Sequence, residues 1–146
     1  MSARLLSCLA VPILLANAGQ EAGRPGTPST FAPCTSAPRV TCVVDGDTFW
    51  LDGTKVRVAD INTPETHRPA CAAERALGEQ ATRRFTQLLN AGPFQLEAAG
   101  ARDTDRFGRK LRVVTRGGQS LGMVLVEEGL AEPWQGRRAN RWCASA

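Results

Sequence analysis

Short runs of apolar and β-branched residues, separated by Gly and Asp, begin near residue 39 and set the texture of the chain. Val40 to Val44, Thr48 to Leu51 and Lys55 to Ile61 predict three strands. Asp52-Gly53 between the second and third runs predicts a tight hairpin, because both residues tolerate the positive φ that such turns require. The period then changes. Leu77, Ala81, Phe85, Leu88 and Leu89 recur at spacings of three and four while Glu79, Arg83, Arg84 and Gln87 fall on the other side, predicting an amphipathic helix over Ala72 to Asn90. Gly92-Pro93 ends it. Phe94 to Ala98 and Lys110 to Thr115 predict two further strands, and Leu121 to Glu128 a short helix closed by Gly129. Five short strands with one long and one short helix, and no internal repeat, predict an α+β domain of the small OB-type barrel plan.

The first 38 residues have a different character. Met1 to Ala18 carries a cation at Arg4, an apolar run from Leu5 to Leu15 and a small-x-small ending at Ala16-Asn17-Ala18, the pattern of a cleavable signal peptide. Cys8 has too little apolar sequence before it for a lipoprotein acylation site. Residues 19–38 are dominated by Gly, Pro, Ser, Thr and Ala with no hydrophobic period and read as a linker. The expected organisation is therefore a signal peptide at 1–18, a linker at 19–38 and a single domain at 39–146. The 146 residues, 42% apolar and 22% charged, suit one soluble domain and exclude a multidomain enzyme or a polytopic membrane protein. An exported protein, periplasmic or extracellular, is the expectation.

Loss of Cys8 with the signal would leave Cys34, Cys42, Cys71 and Cys143, an even set that fits two disulfides in an oxidising compartment. Three pairings are possible. Cys34–Cys42 with Cys71–Cys143 is the favoured one, since the second bond would fasten the end of the chain to the domain body. Separations of 8, 29 and 72 positions supply no close pair of the kind a zinc site uses. Charge adds one observation. The net value of +4 is modest, but only Lys55 and Lys110 among the 18 cations are lysines. Arg offers a planar fork suited to phosphate, although a GC-rich genome gives the same bias.

Three segments carry candidate chemistry. Val43-Val44-Asp45-Gly46-Asp47-Thr48 puts two carboxylates around a Gly at a hairpin tip, which alone is an ordinary turn. Arg57-Val58-Ala59-Asp60-Ile61-Asn62-Thr63-Pro64-Glu65-Thr66 has an Arg inside a strand and oxygen-bearing side chains where Pro64 ends regular pairing. Asp103-Thr104-Asp105-Arg106-Phe107-Gly108-Arg109-Lys110 places cations and an aromatic ring on the loop before the last strand. Hard oxygen donors in two segments and Arg in two segments are what metal-assisted phosphodiester hydrolysis requires.

Together with Leu77-Gly78-Glu79 and Leu125-Val126-Glu127-Glu128-Gly129-Leu130-Ala131, these segments resemble the staphylococcal nuclease (thermonuclease) family from about Arg39 to Trp134, 96 residues. The resemblance implies a small five-stranded OB-type β-barrel capped by two to three helices, and Ca2+-dependent cleavage of DNA and RNA; the sequence gives no sign of oligomerisation, so a monomer is expected. It implies that Asp47, Asn62 and the main-chain carbonyl of Thr63 hold the metal and that Glu65 orients or deprotonates the attacking water. Arg57 and Arg109 fall where two guanidiniums grip the phosphate, and Arg106 and Phe107 beside the terminal phosphate of the substrate.

One position departs from the pattern. Asn62 stands where the family has a second Asp, so the site carries one formal charge fewer and should hold Ca2+ more weakly. Two alternatives to a nuclease follow: a non-catalytic nucleic-acid-binding module with a weakened metal site, or a disulfide-stapled structural domain. Glu65 beside two Arg favours the nuclease, since a pure binder gains nothing from an acid that repels phosphate. His67, the only His, reads as a solvated loop residue, and Trp50 as barrel packing. The basic end of the chain (Arg137, Arg138, Arg141) lacks Tyr and would rely on Trp134 or Trp142 to stack bases.

Overall fold

The structure is a computed structural model that describes residues 30–139 and 141–143. The expected signal peptide lies outside these residues, as does most of the expected linker. Ten elements follow in chain order. Strands β1 (Cys42–Asp45), β2 (Thr48–Leu51), β3 (Thr54–Val58) and β4 (Ile61–Asn62) precede helix α1 (Ala72–Asn90). Strands β5 (Gln95–Ala98), β6 (Lys110–Arg116) and β7 (Gln119–Ser120), helix α2 (Leu121–Glu127) and strand β8 (Glu132–Pro133) complete the set.

The five main strands form one mixed sheet in the order β1-β2-β3-β6-β5, with β7 added to β6. The first three form an antiparallel meander whose second turn is Asp52-Gly53, with φ of 48° and 79°. Strand β6 then joins β3 in parallel, Arg57 opposite Leu111, and β5 pairs antiparallel with β6. The fold is thus α+β with two helices among the described residues. The run expected to be a single strand from Lys55 to Ile61 is divided. After Val58 the chain makes a last bond to the sheet, from Ala59 N to Arg112 O (2.9 Å), and turns at Asp60, so that Ile61–Asn62 pairs with β8 instead.

The core is apolar and centred on Phe49, whose ring meets Phe85 of α1 edge-on at 5.7 Å. Val43, Val56, Val58, Ile61, Val114 and Leu125 are fully buried around it. Phe31 and Phe94 complete the cluster, each about 6 Å from Phe49. Phe31 lies in the segment read as linker, yet it is 3% exposed. Its N–H donates to Asn90 Oδ1 (2.8 Å), and Asn90 Nδ2 donates back to Phe31 O (2.9 Å). Two further main-chain bonds, Cys34 N to Val43 O and Val43 N to Ala32 O, lay residues 32–34 along β1. Disulfides join Cys34 to Cys42 and Cys71 to Cys143, the pairing favoured from the sequence.

Two glycines let the helix approach the acidic turn and the loop after β4. A Cβ on Gly46 would stand 2.8 Å from Thr63 Cγ2 and 2.9 Å from Ala81 Cβ, so the turn between the two acids is pressed against both. A Cβ on Gly78 would stand 2.6 Å from Pro64 O. The far end of α1 is closed by Arg116, which donates to Leu88 O, Gly92 O and Pro93 O at 2.6–2.9 Å. That cation caps the carboxyl end of the helix. Gly78→Ala should destabilise the domain by about 1–3 kcal/mol in urea denaturation, because a main-chain carbonyl cannot yield as a side chain would. This outweighs the ~1 kcal/mol that Ala gains over Gly in a helix. Unchanged or raised stability would mean that the loop is not pressed on the helix there.

Candidate active site

Asp47 is the most heavily bonded of the candidate residues, and it is 7% exposed. Strand register brings its partners to it: Thr48 lies opposite Arg57 at the β2–β3 pairing, and Val58 N donates to Asp47 O at 2.9 Å. The turn after β3 then returns the chain so that Thr63 N donates to Asp47 Oδ2 at 2.9 Å. Arg57 Nη2 approaches the same oxygen at 3.2 Å, and Thr48 Oγ1 donates to Oδ1 at 3.1 Å. Trp134 lies beside this cation, its ring centre 6.0 Å from the Arg57 guanidinium carbon, an electrostatically favourable arrangement.

Asp45 sits behind Asp47 and accepts its N–H at 3.2 Å. Burial, and next the charge of Asp47, push the Asp45 carboxyl up to about 7, against the opposing pull of Arg57. Ionising Asp45 beside Asp47 in this half-buried turn is therefore costly.

Asn62 is 2% exposed and faces β8. Its Nδ2 donates to Glu132 Oε1 at 2.9 Å, and the same oxygen accepts Ala139 N at 2.9 Å. An ionised carboxylate only accepts, so Glu132 fixes the amide nitrogen toward itself and leaves the amide oxygen as the end available to a cation. Glu65 is held differently. Its N–H donates to Glu74 Oε1 (3.2 Å), its carboxylate meets Arg138 Nη1 at 2.5 Å, and Glu74 Oε2 accepts Ala70 N at 2.6 Å. Glu74, buried in the first turn of α1, thus ties down the loop that carries Glu65.

Arg109, Arg106 and Phe107 form a separate group on the loop before β6. Asp105 organises it: Oδ1 accepts Phe107 N and Arg109 N, and Oδ2 pairs with Arg109 Nε at 2.7 Å. Partial burial opposes ionisation of Asp105, but these hydrogen bonds outweigh it and hold the carboxyl below its usual range. Phe107 is 68% exposed, with the Arg106 and Arg109 guanidiniums 4.7 and 5.4 Å from its ring centre. The parallel β3–β6 pairing connects this group to Asp47, since Leu111, two residues after Arg109, is the partner of Arg57.

Direct contacts thus gather Asp47, Arg57 and Thr63, with Asn62 adjacent in the chain. The side chains of Glu65 and Arg109 are paired elsewhere, with Arg138 and Asp105, and are linked to this group by the short loop after β4 and by the β3–β6 pairing respectively. Among the described residues no three Asp, Glu, His or Cys side chains converge on a cation position. A cation would need amide and main-chain oxygens as well, and the donor set of Asp47, Asn62 and the Thr63 carbonyl is of that all-oxygen kind, suited to a hard ion such as Ca2+. His67 shares a hydrogen bond with Thr66 Oγ1 in an exposed loop and touches none of these groups.

The sequence model of the family described as Staphylococcal nuclease homologue matches residues 55–141. The chain belongs to this family. It is 38% identical over 92 residues to Endonuclease YncB of Bacillus subtilis (strain 168), an alignment covering 60% of this chain and 43% of that protein. The SPbeta prophage-derived endonuclease YokF of the same strain is also 38% identical over 92 residues, covering 60% of this chain and 31% of that protein. The chain therefore spans less than half the length of these curated relatives. As a staphylococcal nuclease homologue it carries four polar residues that the sequence reading did not single out for the site: Glu74, Asp105, Glu132 and Arg138. Asp45 was visible in the acidic turn but had no role assigned. The other four act through contacts across the chain or within a loop, which no spacing rule announces.

The Asp45 carboxyl supplies a pH test of the metal-free protein. The folded chain keeps this proton to about pH 7, whereas the ordinary value is 3.8, so folding takes up a proton between the two. Wild type should lose stability relative to Asp45→Asn as pH rises from about 4 to 7, with a constant deficit above. Partial solvent contact keeps the difference on the order of 2 kcal/mol. Urea denaturation in EGTA across this range measures it, and a difference that grew toward acid would contradict the assignment.

Proposed function

We propose that the chain is an exported, Ca2+-dependent nuclease that hydrolyses phosphodiester bonds of DNA and RNA with little sequence preference. The observation that carries this reading is the shared oxygen of Asp47, where a main-chain N–H of the Thr63 loop and the Arg57 guanidinium meet. It joins the elements bearing the proposed metal ligands and one phosphate-binding cation. In this reading Asp47, Asn62 and the Thr63 carbonyl hold the ion, which when bound offsets charge on the phosphate and makes a water more acidic. Arg57 and Arg109 donate to the equatorial oxygens as negative charge spreads over them in the in-line transition state. Glu65 positions the attacking water or takes its proton. Arg106, Phe107 and Trp134 receive the flanking nucleotides. The five-strand order with a parallel β3–β6 pairing supports closure into an OB-type barrel, with the site on its rim. Two disulfides support export after removal of residues 1–18, and the protein would act as a monomer.

A second reading, a nucleic-acid-binding module without turnover, is favoured by one observation: Asn62 where the family pattern has an acid. The neighbouring Glu132 weakens that argument, because it restores a negative charge one hydrogen bond away from the amide.

Incubation of the purified protein with single-stranded DNA separates the two. The nuclease reading expects degradation with Ca2+ and none with EGTA. It also expects losses of about 10²–10³ in rate for Arg57→Lys and Arg109→Lys, and a comparable loss for Glu65→Gln. Gel retardation without degradation would replace it with the binder.

The ligand role of Asn62 has its own test. Asn62→Asp alone sets a second carboxylate against Glu132, whereas Asn62→Asp with Glu132→Gln keeps the hydrogen bond and moves the charge from Glu132 onto the proposed ligand itself. The double variant should therefore bind Ca2+ in calorimetry more tightly than wild type and than the single variant. Equal titrations for the double variant and wild type would count against Asn62 as a ligand.

A further inference from the structure

Beyond β8 the described residues stay against the domain. Trp134 N donates to Asp60 O at 2.8 Å, Ala139 N donates to the carboxylate that orients Asn62, and Arg138 meets the Glu65 carboxylate at 2.5 Å. The segment is then bonded covalently through Cys143 to Cys71, the N-cap residue of α1, six positions after Glu65. Between it and the Glu65 loop lies a pocket of about 240 Å³ lined by Glu65, Arg68, Glu74, Arg138 and Trp142. An ion pair with 34% and 53% of its side chains exposed is ordinarily weak, because two long side chains must be ordered in water. Here both partners are already confined. Glu74 pins the loop of Glu65, and the disulfide closes a ring of 72 positions that keeps Arg138 near its partner whatever the pair itself contributes.

We propose that residues 135–139 and 141–143 form a strap, locked by Cys71–Cys143, in which Arg138 is a positioning residue for Glu65. This inference rests on the nuclease reading for what Glu65 does, but not for how it is held. Arg138 contacts Glu65 rather than Asp47 or Arg57, so its role is to fix the direction of the carboxylate. The strap ties the reactivity of the site to the oxidation state of one cysteine pair. Reduction of that pair, with two electrons and two protons from a thiol reductant, gives two thiols and releases the strap.

The test compares Arg138→Ala, Arg138→Lys and the pair Cys71→Ser with Cys143→Ser. Ser is a good N-cap, so the double cysteine variant keeps the start of α1. Single-stranded DNA hydrolysis should show kcat lowered about ten- to a hundredfold in Arg138→Ala, with KM changed less than about twofold. Arg138→Lys should recover most of the loss. The cysteine pair should reproduce the loss, and Arg138→Ala added to it should change kcat little further, because both act through one contact. Arg137→Ala, which alters the tail charge equally, should behave as wild type. Independently of any activity, amide hydrogen exchange over 65–70 should be faster in Arg138→Ala and in the cysteine variant. Unchanged exchange would overturn the strap even if the protein cleaved no DNA. With an active wild type, an unchanged or raised kcat in Arg138→Ala, or a rise in KM alone, would overturn the positioning role.

Discussion

The site is assembled around one carboxylate oxygen, Asp47 Oδ2, which receives the Thr63 N–H at 2.9 Å and lies 3.2 Å from the Arg57 guanidinium. These contacts join the start of β2, the end of β3 and the chain just beyond β4. A buried carboxylate needs such partners, and here they are supplied by the segments that carry the residues proposed to bind the ion and the phosphate. Gly46 permits the approach, since any side chain there would meet Thr63 and Ala81. The local architecture and the electrostatics therefore have a common origin. The contacts that satisfy the buried Asp47 carboxylate also hold Arg57 and the Thr63 loop beside it.

The elements that were legible in the sequence are those governed by local rules. The period of Leu77, Ala81, Phe85, Leu88 and Leu89 marks α1 with both ends in place, and Asp52-Gly53 marks its hairpin. The five main strands are found where short apolar or β-branched runs occur, because a half-buried strand must alternate or concentrate its apolar residues. The motifs around Asp47, Arg57 and Arg109 were equally visible, since each is a short segment in which several polar residues are adjacent. What was not visible depends on contacts across the chain. Lys55 to Ile61 has uniform strand character, and only the partners of Ala59 and Asp60 explain its division. Phe31 lies in sequence with no period at all, and its place against Phe49 is set by Asn90, 59 residues away.

The same distinction separates the residues of the candidate site. Asp47 and Arg57 belong to recognisable patterns. Glu132 has no motif of its own, and its significance arises because β8 lies opposite Asn62. Asn62 alone reads as a deficit of charge, whereas with Glu132 it is half of an amide–carboxylate pair. Arg138 similarly stood among three tail arginines, and contact with Glu65 distinguishes it from Arg137 and Arg141.

The seat of Phe31 bears on where the domain begins. Both the β-pattern, which starts at residue 39, and the family match, which starts at residue 55, would draw its edge too late. A fragment trimmed to residue 39 would lack the aromatic plug between Phe49 and Phe94 and the partner of Cys42, leaving a hole in the hydrophobic interior and an unpaired thiol at the mouth of the first strand. The later cut would also remove the acidic hairpin itself. The packed unit therefore takes in Phe31 and Cys34, ahead of the first regular strand.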